Sequence, residues 1–230
     1  MEKMAIATAW GRTHRTALLA LAICALPGAY GLDFIHQEQA VLAAQERIER
    51  NHVLGAEGGE RDFARPYSAG SPGDPPRLLL AAALIHAQQA AAAPLAPQRA
   101  ALLQQARQEI DAIAASRPYW GEADVVRAYI ASLAPTGRRE ALAALARSYE
   151  SSPYLLNAAA WRWRFGIEHW GELSPAIQAH LIDEAVWLAR LKPDQHPQVM
   201  DLARGTDAYK PLLLRWREVR LRDQNLYRRP

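Results

Sequence analysis

One cysteine, Cys24, is present among 230 residues, and this excludes an intrachain disulfide and any metal site built on several thiolates. Lysine is nearly missing as well. Lys3, Lys192 and Lys210 are the only three, so 24 of the 27 basic residues are arginine. With abundant Ala and Pro, that preference reads as the codon bias of a GC-rich bacterial genome. A formal net charge of +3 is too small to point to nucleic acid, because duplex-binding folds concentrate far more cations on one face. No stretch alternates apolar and polar over several β-branched residues, so strands are not expected. Gly-rich phosphate loops, a G-x-S-x-G turn and a thiol nucleophile with a partner are all lacking, and the seven His show no metal-ligand spacing. Neither catalysis nor a cofactor is indicated. What the chain does have is a 50% apolar composition, enough to fill a core.

Lys3, Arg12 and Arg15 precede "ALLALAICALPGAYGL", an uncharged run from Ala17 to Leu32 that ends at Asp33. A cationic flank before an apolar run is the layout of a secretory signal or signal anchor, with the N-terminus inside and everything after residue 33 outside. As a helix the run spans about 24 Å, against a hydrocarbon core of roughly 30 Å. Ala29 and Gly31 offer small residues for cleavage before Leu32. Equally, "LDFIHQEQAVLAAQERIERNHV" reads as a helix that could extend an uncleaved anchor. The expected organisation is therefore a signal peptide or anchor over 1–32, a helix over 33–52, a Gly/Pro/Ser/Asp-rich linker over 53–76, and an α-helical repeat domain over 77–230. Within that last part, helices are expected over Pro76 to Ala92, Pro97 to Ala115, Gly121 to Leu133, Gly137 to Ser151, Tyr154 to Glu172, Pro175 to Leu191, Gln195 to Arg204 and Pro211 to Gln224. Each is fenced by Pro or Gly. In "LSPAI" Ser174 is placed as N-cap with Pro175 at the first helical position, where its missing N–H costs nothing.

"RPYWGEADVVRAYI" at 117–130 and "SPYLLNAAAWRWRF" at 152–165 align Pro on Pro at a spacing of 35 residues. Pro-Tyr recurs, Ala123 matches Ala158, Arg127 matches Arg162, and an Ala-rich helix precedes each copy. That period belongs to helix-turn-helix repeats. On these residues the chain resembles tetratricopeptide-like repeats, over roughly 97–191, although it lacks the Trp and Gly-Tyr positions of a strict repeat. "WRFGIEHWGELSP" followed by "DEAVWLARL" is also similar to single-pass helical-repeat proteins encoded beside exopolysaccharide polymerases and ligases in GC-rich bacteria. The resemblance implies an all-α fold of stacked hairpins, a concave groove for a protein partner, and a place near envelope polysaccharide machinery.

Residues 161–170 hold Trp161, Trp163 and Trp170 with Phe165. At about 100° per residue, Leu156, Ala160, Trp163, Ile167 and Trp170 form one stripe, and Tyr154, Ala158, Trp161 and Phe165 another almost opposite. A helix apolar on two opposed faces is sandwiched between neighbours, which makes the Trp core residues rather than a ligand platform. Arg127 and Arg162, equivalent in the two copies, are candidate binding residues because guanidinium groups on a ladder clamp carboxylates or phosphates. Tyr119, Trp120 and His169 complete the candidate set. The partner expected is a protein, with the membrane reached through the N-terminal segment if uncleaved, and no nucleic acid. Two other classes stay open: an envelope glycan enzyme using Glu122, Asp124 or Glu168, or a nucleic-acid binder using the Arg-rich stretch "PLLLRWREVRLRDQNLYRRP", whose simplest role is a capping helix with Leu212, Leu213, Trp216 and Val219 inward.

Overall fold

A computed structural model describes residues 37–48 and 74–226. The hydrophobic segment over 1–32 and nearly all of the 53–76 linker lie outside the described residues. The chain divides into two compact units, residues 1–62 and 63–230. In the first, residues 37–48 form a helix, α1. The second carries α2 (Pro76–Ala92), α3 (Ala96–Ser116), α4 (Gly121–Ser132), α5 (Arg138–Ser151), α6 (Ala159–Glu168), α7 (Pro175–Leu191), α8 (His196–Ala203) and α9 (Tyr209–Leu226), with short 3-10 turns at Trp170–Glu172 and Pro193–Gln195. The fold is all-α, and no strand occurs among the described residues.

Proline placed at a first turn sets several of these boundaries. Pro76 and Pro175 open α2 and α7 at the expected residues, and the Ile177 amide donates to Ser174 Oγ at 3.4 Å. Two starts differ from expectation by more than one residue. α9 begins at Tyr209, ahead of Pro211, which its first turn accommodates because amides there have no intrahelical acceptor. α6 begins at Ala159 rather than Tyr154. The Leu155 amide donates to Glu184 Oε1 of α7 at 2.9 Å, and the Leu155 carbonyl accepts from the amides of Ala158 and Ala159, so residues 155–158 turn before the helix starts. Tyr154 and Leu156 therefore leave the two stripes drawn for them and are exposed, and Ala160, inside α6, is exposed as well.

Helices adjacent in sequence pair most closely: α2 with α3, α4 with α5, and α6 with α7. One apolar cluster joins α2, α3 and α4 through Leu79, Leu103, Ile110, Ile113, Val126 and Ile130. A second joins α5 to α9 through Leu145, Trp163, Leu181, Leu188, Val199 and Leu212. The α6–α7 contact is close enough to exclude a methyl group, since a Cβ on Gly166 would lie 2.4 Å from Leu181 Cδ1. Trp163 is buried and its Nε1 donates to the Val199 carbonyl at 3.1 Å, tying α6 to α8. Trp161 turns the other way, edge-on to Tyr129 of α4 with ring centroids 6.0 Å apart. α6 is thus packed on two sides.

Candidate functional site

Arg127 and Arg162 occupy matching repeat positions but have different surroundings. Arg162 is 0% exposed. Its Nη2 pairs with Glu184 Oε1, and its Nη1 donates to the Ser152 carbonyl at 3.0 Å and to the Ser148 carbonyl and hydroxyl at 3.3 Å each. Its guanidinium carbon stands 4.1 Å from the centre of the Tyr149 ring, a cation–π contact. Tyr149 in turn donates its hydroxyl to Glu184 Oε2 at 2.7 Å. Burial and then the Glu184 charge push the Tyr149 phenol well above its ordinary value, so it stays neutral and a donor. Burial also raises the Glu184 carboxyl, against the pull of Arg162 and of the donors on it. Arg162 Nε makes no hydrogen bond, but the side chain is fully enclosed and presents no atom to an outside partner. The network joins α5, α6 and α7.

Arg127 is partly exposed and donates to Asp111 Oδ1 of α3 at 2.8 Å. Both arginines therefore reach back to the preceding helix, and the two do not form one surface ladder. Tyr119 is 90% exposed. Beside it Trp120 Nε1 donates to Glu122 Oε2 at 3.0 Å and the Arg117 guanidinium lies 5.3 Å over its ring. This edge is open and aromatic.

His169 lies in a different setting. The 133–137 turn between α4 and α5 and the end of α6 enclose a groove of about 290 Å³, lined by Leu133, Ala134, Pro135, Arg138, Phe165 and His169, with Ser132 at its edge. The turn is tight because of Gly137, where a Cβ would fall 2.0 Å from the Ala131 carbonyl oxygen. Along α6 the rings of Trp161, Phe165 and His169 succeed one another at one turn each. Trp161 stacks on Phe165 at 5.0 Å, and His169 meets Phe165 edge-on at 4.7 Å. Glu172 Oε1 lies 3.3 Å from His169 Nδ1 and 3.6 Å from Arg138 Nη1. The groove thus sets Leu133, Pro135 and Phe165 beside a guanidinium and an imidazole that both face Glu172, and it suits one or two side chains with a hydrogen-bonding end. Sequence reading reached His169 but missed Arg138, Pro135 and Phe165 as its companions.

A second recess of about 330 Å³ lies along α3, with Gln104, Gln105 and Gln108 over the buried Glu109. Glu109 Oε2 is 3.0 Å from His86 Nδ1 of α2, and burial raises this carboxyl despite that partner. Of the carboxylates weighed for glycan chemistry, Asp124 accepts from Arg147 Nε at 3.3 Å and Glu122 from Trp120, while Glu168 is exposed at the last turn of α6. Among the described residues, no three His, Cys, Asp or Glu side chains gather as a metal ion would require. Compared with protein-family models, curated proteins and solved structures, the chain matches none of them.

Proposed function

We propose that this chain is an exported, non-catalytic scaffold of stacked tetratricopeptide-like hairpins that holds a protein partner in the His169 groove. The carrying observation is the contact between Tyr149 of α5 and Glu184 of α7. They lie 35 residues apart, the same spacing as Pro118 and Pro153. In a stack of 35-residue hairpins, equivalent positions on successive second helices are neighbours, so a bond at one full period is what stacking requires. Pairing of α2 with α3, α4 with α5 and α6 with α7 supports the same reading. Under it, Arg127 and Arg162 are scaffold positions, and binding falls to the inter-hairpin groove, where Arg138 and His169 lie beside Leu133, Pro135 and Phe165.

The cationic flank and apolar run at the N-terminus support export, with residues 33–230 outside the cytoplasm and the partner in the envelope, in the region of exopolysaccharide assembly. No described helix is long and apolar enough to cross a membrane, so the segment over 1–32 carries that part of the proposal. Alkaline phosphatase fused after Pro230 is expected to be active, and a fluorescent protein that matures only in the cytoplasm is expected to be dark at the same position. The reverse pattern contradicts export. The tagged chain is further expected to bring a protein partner out of solubilised membranes, and a chain that elutes alone contradicts the scaffold.

A further inference from the structure

The inner side of α9 is committed to the fold. Leu212 is fully buried, Trp216 and Val219 are half-buried against the C-terminal core, and Arg215 donates to Asp183 Oδ1 of α7 at 2.7 Å. Farther along, Asp223 accepts from Arg190 of α7 at 3.0 Å. These ties fix the rotation of the helix, and with it the residues that point away from the body.

At about 100° per residue, Lys210, Leu213, Leu214, Arg217, Arg220, Leu221 and Gln224 fall within an arc of roughly 120° on the opposite side. All seven are exposed, Leu214 at 58% and Leu221 at 49%. No acidic residue lies in the arc. Glu218 flanks it and is occupied by Arg215 and Arg222, whereas Lys210, Arg217 and Arg220 take part in no ion pair among the described residues. The surface therefore combines three unneutralised cations with three exposed leucines over a length of about 21 Å.

We propose that this arc docks on an anionic phospholipid surface, with Leu213, Leu214 and Leu221 entering the boundary between headgroups and acyl chains and Lys210, Arg217 and Arg220 meeting the phosphates. Three properties select this occupant. Charge complementarity demands an anionic surface, which disfavours a second copy of the same cationic arc. Leucine on either side of Arg217 gains nothing from nucleic acid, whose contacts are made by cations and stacking rings. Leucine can enter the headgroup boundary while neighbouring Lys and Arg stems reach back to the phosphates, and clusters of such cations on a helix are what anionic lipid surfaces attract. Such docking would lay the helical body along the membrane independently of residues 1–32 and of the His169 groove.

The test reads α9 itself, because the N-terminal apolar run can also bind vesicles. An environment-sensitive dye is attached to the full chain through Leu214→Cys in a Cys24→Ser background. Vesicles of equal parts phosphatidylglycerol and phosphatidylcholine are expected to shift its emission to the blue, and high salt is expected to reverse much of that shift. Arg217→Glu with Arg220→Glu is expected to weaken the response roughly tenfold or more, with helicity by circular dichroism unchanged. No shift on anionic vesicles, or an equal shift on pure phosphatidylcholine, overturns the proposal. So does an equal shift on a single-stranded oligonucleotide without lipid, which would assign the face to nucleic acid.

Discussion

Trp163→Ala is expected to lower the stability of the helical body by on the order of 3 to 5 kcal/mol, as truncating a buried aromatic does. The indole is 1% exposed in the C-terminal core and supplies the hydrogen bond to the Val199 carbonyl that connects α6 to α8. Its removal leaves a cavity where rigid helices already meet, and the Gly166–Leu181 contact gives α6 little freedom to close it. Urea unfolding followed by circular dichroism reads this as a lower midpoint at an unchanged slope. If the variant instead kept the midpoint and lost only a partner, the tryptophan cluster would be a binding platform.

The second large effect concerns the buried ion pair. Arg162→Met or Glu184→Gln alone is expected to cost roughly 3 to 5 kcal/mol, because each leaves the other charge or its hydrogen-bond partners uncompensated in the core. Glu184→Gln also keeps shape while weakening the acceptor for Tyr149 and for the Leu155 amide, so the turn before α6 is expected to loosen with it. Combining Arg162→Met with Glu184→Leu removes both charges, and its cost is expected to be well below the sum of the two singles, a coupling that a double-mutant cycle measures. Single variants within about 0.5 kcal/mol of the unaltered chain, the range of ordinary surface changes, would mean that Arg162 is in contact with water and available to a partner.

Much of the helical layout was legible because it is written locally. Pro76 and Pro175 mark first turns, Ser174 caps α7 with its own hydroxyl, and the alternation of Ala-rich segments with Pro and Gly separates one helix from the next. Trp163 could be assigned to the core from its angular position alone, and the structure buries it. The illegible parts depend on partners distant in sequence. Nothing near Tyr154 announces that Glu184, 29 residues beyond Leu155, takes the amide on which α6 was expected to extend. Arg127 and Arg162 look alike in a repeat alignment, yet a carboxylate 22 residues downstream draws one inward while Asp111 holds the other near the surface. The groove was only partly readable for a similar reason. His169 stands out just past α6, but Pro135 lies in the turn before α5 and Arg138 at the start of α5, whose position against α6 is set by packing.

The scaffold reading is tested most directly by a photoreactive amino acid placed in living cells at His169, in the groove, and separately at Gln105, exposed on α3 and outside it. Irradiation is expected to give a covalent protein adduct of higher mass from position 169 and not from 105. Adding Arg138→Glu to the position-169 probe is expected to abolish that adduct while leaving the melting temperature in place. Adducts of equal yield from both positions, or a position-169 adduct that survives Arg138→Glu, would contradict a partner held in this groove.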